Sequence, residues 1–154
     1  GNGMAPEVRV LDLTDGAGRV VEPGWLARAE AVHRQLRPQL PADYAGRMAA
    51  VFANGARMAV AAEGNAVRGV AVWRLVENTY EGRRLYVDDL VTDEACRTRG
   101  VGRALLSHVE SAARALGCDV LALDSGTQRA GAHRFYFREG FHIPAFCFRK
   151  DLRS

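Results

Sequence analysis

Six residues, Arg97-Thr98-Arg99-Gly100-Val101-Gly102, stand between a run rich in strand formers and a run with helical spacing, and they limit what the chain can build around them. Upstream, Leu85 to Thr92 reads LYVDDLVT, a predicted strand. Downstream, Val101, Leu105, Val109, Ala112 and Leu116 recur as one face of a helix. Two glycines close behind an arginine allow a tight turn that bares several backbone N–H groups. These pass to a helix N-terminus, whose partial positive charge attracts anions. Strand, glycine turn, helix is therefore the order of an anion site, and a diphosphate suits it. Alone, Arg-x-x-Gly-x-Gly also describes an ordinary loop, so context decides its meaning.

Two rival phosphate-binding patterns are missing. A Walker loop needs Gly-Lys-Ser/Thr, and the chain's one lysine is Lys150. A dinucleotide fingerprint needs a third glycine and a following acid in a parallel βαβ unit near the start of a domain, whereas this turn lies two-thirds of the way along.

Around the turn, periodicity and turn residues predict a strand at Val8–Leu13, helices at Trp25–Leu36 and Ala42–Ala53, and a hairpin of Met58–Ala62 with Val67–Val76. After the helix ending near Gly117 come a buried strand at Val120–Leu123, a short helix at Arg129–Glu139, and a closing extended segment at Phe141–Leu152 broken by Pro144. This order predicts a mixed central sheet with helices on both faces.

At 154 residues, 48% hydrophobic and 25% charged, the chain has the size and composition of one soluble globular domain. Gly1-Asn2-Gly3 ahead of Met4 reads as a tag remnant, so the domain is expected over residues 4–154. No apolar run is long enough to cross a bilayer, and the first residues lack signal-peptide character. Cys96, Cys118 and Cys147 are odd in number and far apart, which speaks against a disulfide framework and for a reducing, cytoplasmic setting. The net charge of +3 is modest and the arginines are scattered, so neither nucleic acid nor membrane is an expected partner, and the chain is open to homodimer formation.

Read as a unit, Asp89-Leu90-Val91-Thr92, the Arg97-x-x-Gly100-x-Gly102 turn, and the run from Ala132 through His133, Phe135, Tyr136 and Gly140 to Phe141 resemble the GNAT superfamily of acetyl-CoA-dependent N-acetyltransferases. The last run fits that family's Ala-x-x-Phe-Tyr-x-x-x-Gly-Phe pattern at every stated position. The similarity extends from Leu85 to Phe141, while the first 80 residues agree only in the order of elements.

The resemblance implies the GNAT fold, class α/β (α+β), with acetyl-CoA as co-substrate. It implies a bulged strand that splays from its neighbour, so that pantetheine pairs with the main chain of Leu90, Val91 and Thr92. It further implies that the diphosphate rests on the N–H groups of Arg99, Gly100, Val101, Gly102, Arg103 and Ala104, with the side chains of Arg97, Arg99 and Arg103 available to the phosphates. Many members carry asparagine seven residues before the tyrosine. This chain has Arg129 there, which would reach a phosphate or a substrate anion instead.

Acetyl transfer requires a neutral amine to attack a thioester, a group to accept the amine proton, and a proton for the departing thiolate. The Tyr-Val-Asp-Asp-Leu-Val run beginning at Tyr86 is similar to the Tyr-Leu-Glu-Asp-Phe-Phe run of spermidine/spermine N-acetyltransferase, in which the first acid is the proposed base. That makes Asp88 the candidate base and Asp89 a structural or substrate contact. Strand alternation predicts that the two carboxylates point to opposite faces. Their competing reading is as solvated or backbone-capping acids at a strand end. Tyr136 occupies the family position of the general acid, against a competing reading as a buried aromatic; Phe135 and Phe141 read as core.

His108 falls within the apolar helix stripe and reads as core, whereas His133 is a candidate for the acceptor pocket or the surface. No Cys/His cluster exists, and no metal is expected. Asp88, Asp89 and Glu77 suggest a negative pocket and hence a small cationic primary amine as acceptor. Protein N-termini or lysines are the alternative acceptors, and a non-catalytic acyl-CoA sensor is the alternative outside enzymes. The segment from Leu36 to Tyr44, expected to shape the acceptor pocket, carries no readable code.

Overall fold

A computed structural model describes residues 7–96 and 100–153. The elements are β1 (Arg9–Asp12), α1 (Pro23–Leu36), α2 (Tyr44–Ala53), β2 (Ala56–Glu63), β3 (Ala66–Asn78), β4 (Gly82–Thr92), α3 (Val101–Ala115), β5 (Val120–Leu123) and α4 (Ala130–Arg138). They fall into two compact units, one ending at Leu123 and the other starting at Asp124.

In the first unit the strands form one sheet in the order β1-β2-β3-β4-β5. The pairs from β1 to β4 are antiparallel, and β5 runs parallel to β4. Local chemistry sets the ends of the elements. Pro23 opens α1, where its missing N–H costs nothing. Asp43 caps α2, its carboxylate accepting the Gly46 N–H at 3.0 Å. The strands predicted at Val67–Val76 and Leu85–Thr92 extend to Asn78 and back to Gly82 and join in a hairpin, because the Asn78 side chain accepts the Glu81 N–H and Glu77 pairs with Arg83 directly opposite.

Alternation along the strands divides the core in two. Met58, Val60, Val70 and Val72 pack with Leu26, Ala29, Val32, Met48 and Phe52 of α1 and α2. Ala59, Ala61, Ala71, Trp73, Leu85 and Val87 pack with Val101, Leu105 and Val109 of α3. Small residues on the second face let α3 approach closely: a Cβ on Gly69 would stand 2.7 Å from the side chains of Val101 and Leu105. His108 departs from its expected place in the core. It lies beside the buried stripe, 29% exposed, with Nε2 2.8 Å from the Asp12 carboxylate.

In the second unit, α4 is followed by residues 141–153 outside regular structure. The strand expected at Phe141–Leu152 does not form among the described residues, and the sheet has five strands where six were expected. Apolar alternation alone does not make a strand, since a ladder partner must satisfy its backbone. Phe146, Phe148 and Leu152 are exposed. No described helix is long and apolar enough to cross a membrane.

Candidate active site

β4 is longer than its parallel neighbour. Pairing with β5 runs from Arg84↔Val120 to Val87↔Leu123 and stops there. On its other edge β4 stays paired with β3 through Leu90, Val91 and Thr92, opposite Ala71, Val70 and Gly69. From Asp88 to Thr92, therefore, one backbone edge of β4 has no strand partner among the described residues. Such an edge takes an extended chain by main-chain pairing.

Asp88 is itself the irregularity. Val72 lies opposite Asp89 and Trp73 opposite Val87, so Asp88 is an extra residue without a partner in β3. The bulge resets the alternation: Leu85 and Val87 face α3, whereas Val91 faces α1 and α2. It also corrects the expectation for the two carboxylates, which lie on the same face, that of α1 and α2. Asp88 shares a cleft with Arg47 and Asn54 of the α2 region, while Asp89 reaches His33 of α1.

Each carboxylate is charge-paired. Asp88 is held in a two-pronged contact by Arg74, whose Nε and Nη2 each donate at 2.7 Å. Asp89 accepts from His33 Nε2 and from Arg37 Nε, both at 2.7 Å, while Arg37 Nη2 donates to the Asp88 carbonyl at 2.9 Å. His33 is almost wholly buried, and its Nδ1 lies 2.7 Å from the Tyr44 hydroxyl. Burial pushes the Tyr44 phenol well above its ordinary value, with Glu30 and Asp89 adding to the effect. The Tyr44 phenol thus stays protonated beside Nδ1, and Nε2 faces the Asp89 carboxylate. Burial alone would raise Asp89, but the hydrogen bonds and charges of His33 and Arg37 outweigh it and hold the carboxyl below 3.8. A chain of contacts from Tyr44 through His33 and Asp89 to Arg37 ties α1 and α2 to the bulge.

This network yields a stability prediction. Asp89→Ala leaves buried His33 without its acceptor and is expected to cost about 2–3 kcal/mol in urea unfolding. Because the native carboxyl sits below 3.8, its contribution is complete above that pH and drains away as the pH falls toward the lowered native value. The acid slope of stability below that point should therefore be shallower in Asp89→Asn than in the parent, and identical slopes would show that the network carries no charge-dependent stability.

Of the expected anion site, Gly100 is the first described residue. It is the N-cap of α3 in the left-handed region, at φ 73°, and its carbonyl accepts the Ala104 N–H at 3.0 Å. The turn thus delivers the first amides of α3, from Val101, Gly102 and Arg103, at a helix start. Arg97 and Arg99 lie outside the described residues.

In the second unit, Tyr136 is buried on α4, its ring 5.5 Å from that of Phe135 and 5.8 Å from that of Phe141. Burial raises its pKa, with Arg129 pulling in the opposite sense, so the phenol stays protonated through neutral pH. Arg129 is the N-cap of α4. His133 Nε2 lies 2.8 Å from the Gly126 carbonyl, a contact that ties the loop ahead of α4 to the helix.

His33, Arg37, Tyr44 and Arg74 were not singled out in the sequence. The one available signal was a histidine on the apolar face of α1, next to Val32 and four residues after Ala29.

A β4 edge open beyond its parallel neighbour, a bulge carrying carboxylates, and a glycine turn at a helix N-terminus together define an acyl-transferase fold. Residues 25–141 match the Acetyltransferase (GNAT) family, and the chain belongs to that family. It is an N-acetyltransferase. It is 34% identical over 129 residues to the uncharacterized N-acetyltransferase YhdJ of Bacillus subtilis (strain 168), covering 82% of this chain and 91% of that protein. Over 66 residues it is 36% identical to the aminoalkylphosphonate N-acetyltransferase of Salmonella typhimurium, 43% of each chain. The aminoglycoside N-acetyltransferase AAC(6')-Iy in complex with CoA shares the fold, with TM-score 0.82 and 15% identity over 99% of both chains.

Proposed function

We propose that the chain, acting as a single transferase domain over residues 4–154, moves the acetyl group of acetyl-CoA to a primary amine of a small molecule by direct attack in a ternary complex. The observation that carries this reading is the β4 edge that has no strand partner among the described residues from Asp88 to Thr92, close in sequence to the glycine that opens α3. That edge suits the amide-bearing arm of CoA, and the amides of residues 100–104 suit its diphosphate. The amine nitrogen forms a bond to the thioester carbonyl carbon and gives up its proton to Asp88, directly or through water. The C–S bond then breaks, and the CoA thiolate takes the Tyr136 phenol proton. Arg74 donates to both Asp88 oxygens and fixes the carboxylate at the bulge. The relatives' names support an amine acceptor and a CoA donor.

Acetyl-CoA at a hundredfold excess over Kd should stabilise the protein by about 2.7 kcal/mol in thermal unfolding. Gly100→Val places a branched side chain at positive φ, where it costs about 1–2 kcal/mol, and should abolish the shift in a protein that remains folded. A full shift in that variant would place the diphosphate elsewhere. CoA release with a panel of small amines and peptides tests the acceptor: peptide-only turnover would make the chain a protein acetyltransferase, and binding without release with any amine would make it a sensor.

A further inference from the structure

The expected acidic pocket is not what the fold builds. Asp89 is taken up by His33 and Arg37, and Glu77 by Arg83 on the hairpin. Asp88 lines a cleft of about 290 Å³, and there it is outnumbered by two arginines. Arg47 of α2 and Arg74 of β3 line that cleft with Asp88, and Ala50, Val51 and Asn54 complete it. Arg74 spends Nε and Nη2 on Asp88, which leaves Nη1 free of that contact. The Arg47 guanidinium is exposed and has no partner among the described residues. A purely cationic acceptor would meet an excess of positive charge here, whereas a molecule carrying both an amine and an acid would find a partner for each.

We propose that this cleft selects a small zwitterionic acceptor, its amine directed to Asp88 and its terminal carboxylate or phosphonate bound by the Arg47 and Arg74 guanidiniums. This rests on the small-amine reading above and specifies its substrate class. The planar guanidinium fork matches an oxyanion with two parallel donors, and the neighbouring carboxylate sets the amine at the bulge. The cleft volume is at the lower limit of small-molecule sites, roughly 300 Å³, so acceptors of a few carbons suit it better than a peptide.

The test is CoA release from acetyl-CoA with acceptors of matched length: 3-aminopropylphosphonate and 4-aminobutyrate against butylamine and 1,4-diaminobutane. The acid-bearing pair should be preferred by about tenfold or more in kcat/KM. Arg47→Ala should bring that ratio close to one, and Arg47→Glu should invert it in favour of the diamine. Arg47 is exposed on α2, so an unchanged Tm in both variants will certify the fold. Equal use of all four acceptors, a diamine preference in the parent, or a ratio unmoved by Arg47→Glu would overturn the inference while leaving acetyl transfer to amines intact. Release with none of the four, but with peptides, would overturn the small-amine reading and the inference with it.

Discussion

Replacing Tyr136 by phenylalanine is expected to lower kcat by about 10² or more while leaving the affinity for acetyl-CoA nearly unchanged, the scale of losing a general acid. The substitution keeps the ring and its packing on Phe135 and Phe141 and removes only the hydroxyl. In the proposed mechanism that hydroxyl acts when the tetrahedral intermediate collapses, so its loss would fall on the transition state and leave ground-state binding alone. Burial holds the phenol protonated at neutral pH, which is the form the departing thiolate needs. A thioester with a more acidic leaving thiol should recover much of the lost rate, because such a thiolate departs without a proton. Parent-level turnover in Tyr136→Phe would reduce Tyr136 to a core aromatic.

Asp88→Asn should lower kcat/KM by about 10²–10³ near neutral pH, with partial recovery at higher pH as free amine becomes abundant. The ion pair with Arg74 supplies a control. If Asp88 served only to hold Arg74, Asp88→Asn and Arg74→Gln would lose activity in equal measure at every pH. Proton acceptance by Asp88 instead predicts that the recovery appears in Asp88→Asn alone.

The order of elements was legible because each signal is local. The apolar spacing of Leu26, Ala29, Val32 and Leu36, Asn54-Gly55 after α2, and the apolar repeat from Val101 to Ala113 each lie within a few turns of chain. The glycine turn was legible for the same reason: a φ of 73° at Gly100 is a property of one residue in its sequence context. The final strand failed because a strand exists only with a partner, and Phe146 and Phe148 are read as strand residues by their pattern whether or not one is present.

By itself, then, the sequence determined the family, the candidate site residues, and the glycine that opens α3. The tertiary structure decided which way the site residues face and what neutralises them. Asp88 and Asp89 share a face because pairing with β3 leaves Asp88 as an extra residue, a fact of register that a single strand does not contain. The partners of these carboxylates stand 14, 52 and 56 residues away, at Arg74, Arg37 and His33. Charge pairing acts through space, so the same two aspartates that suggested an acidic pocket become, once folded, one half-buried strut and one carboxylate set between arginines.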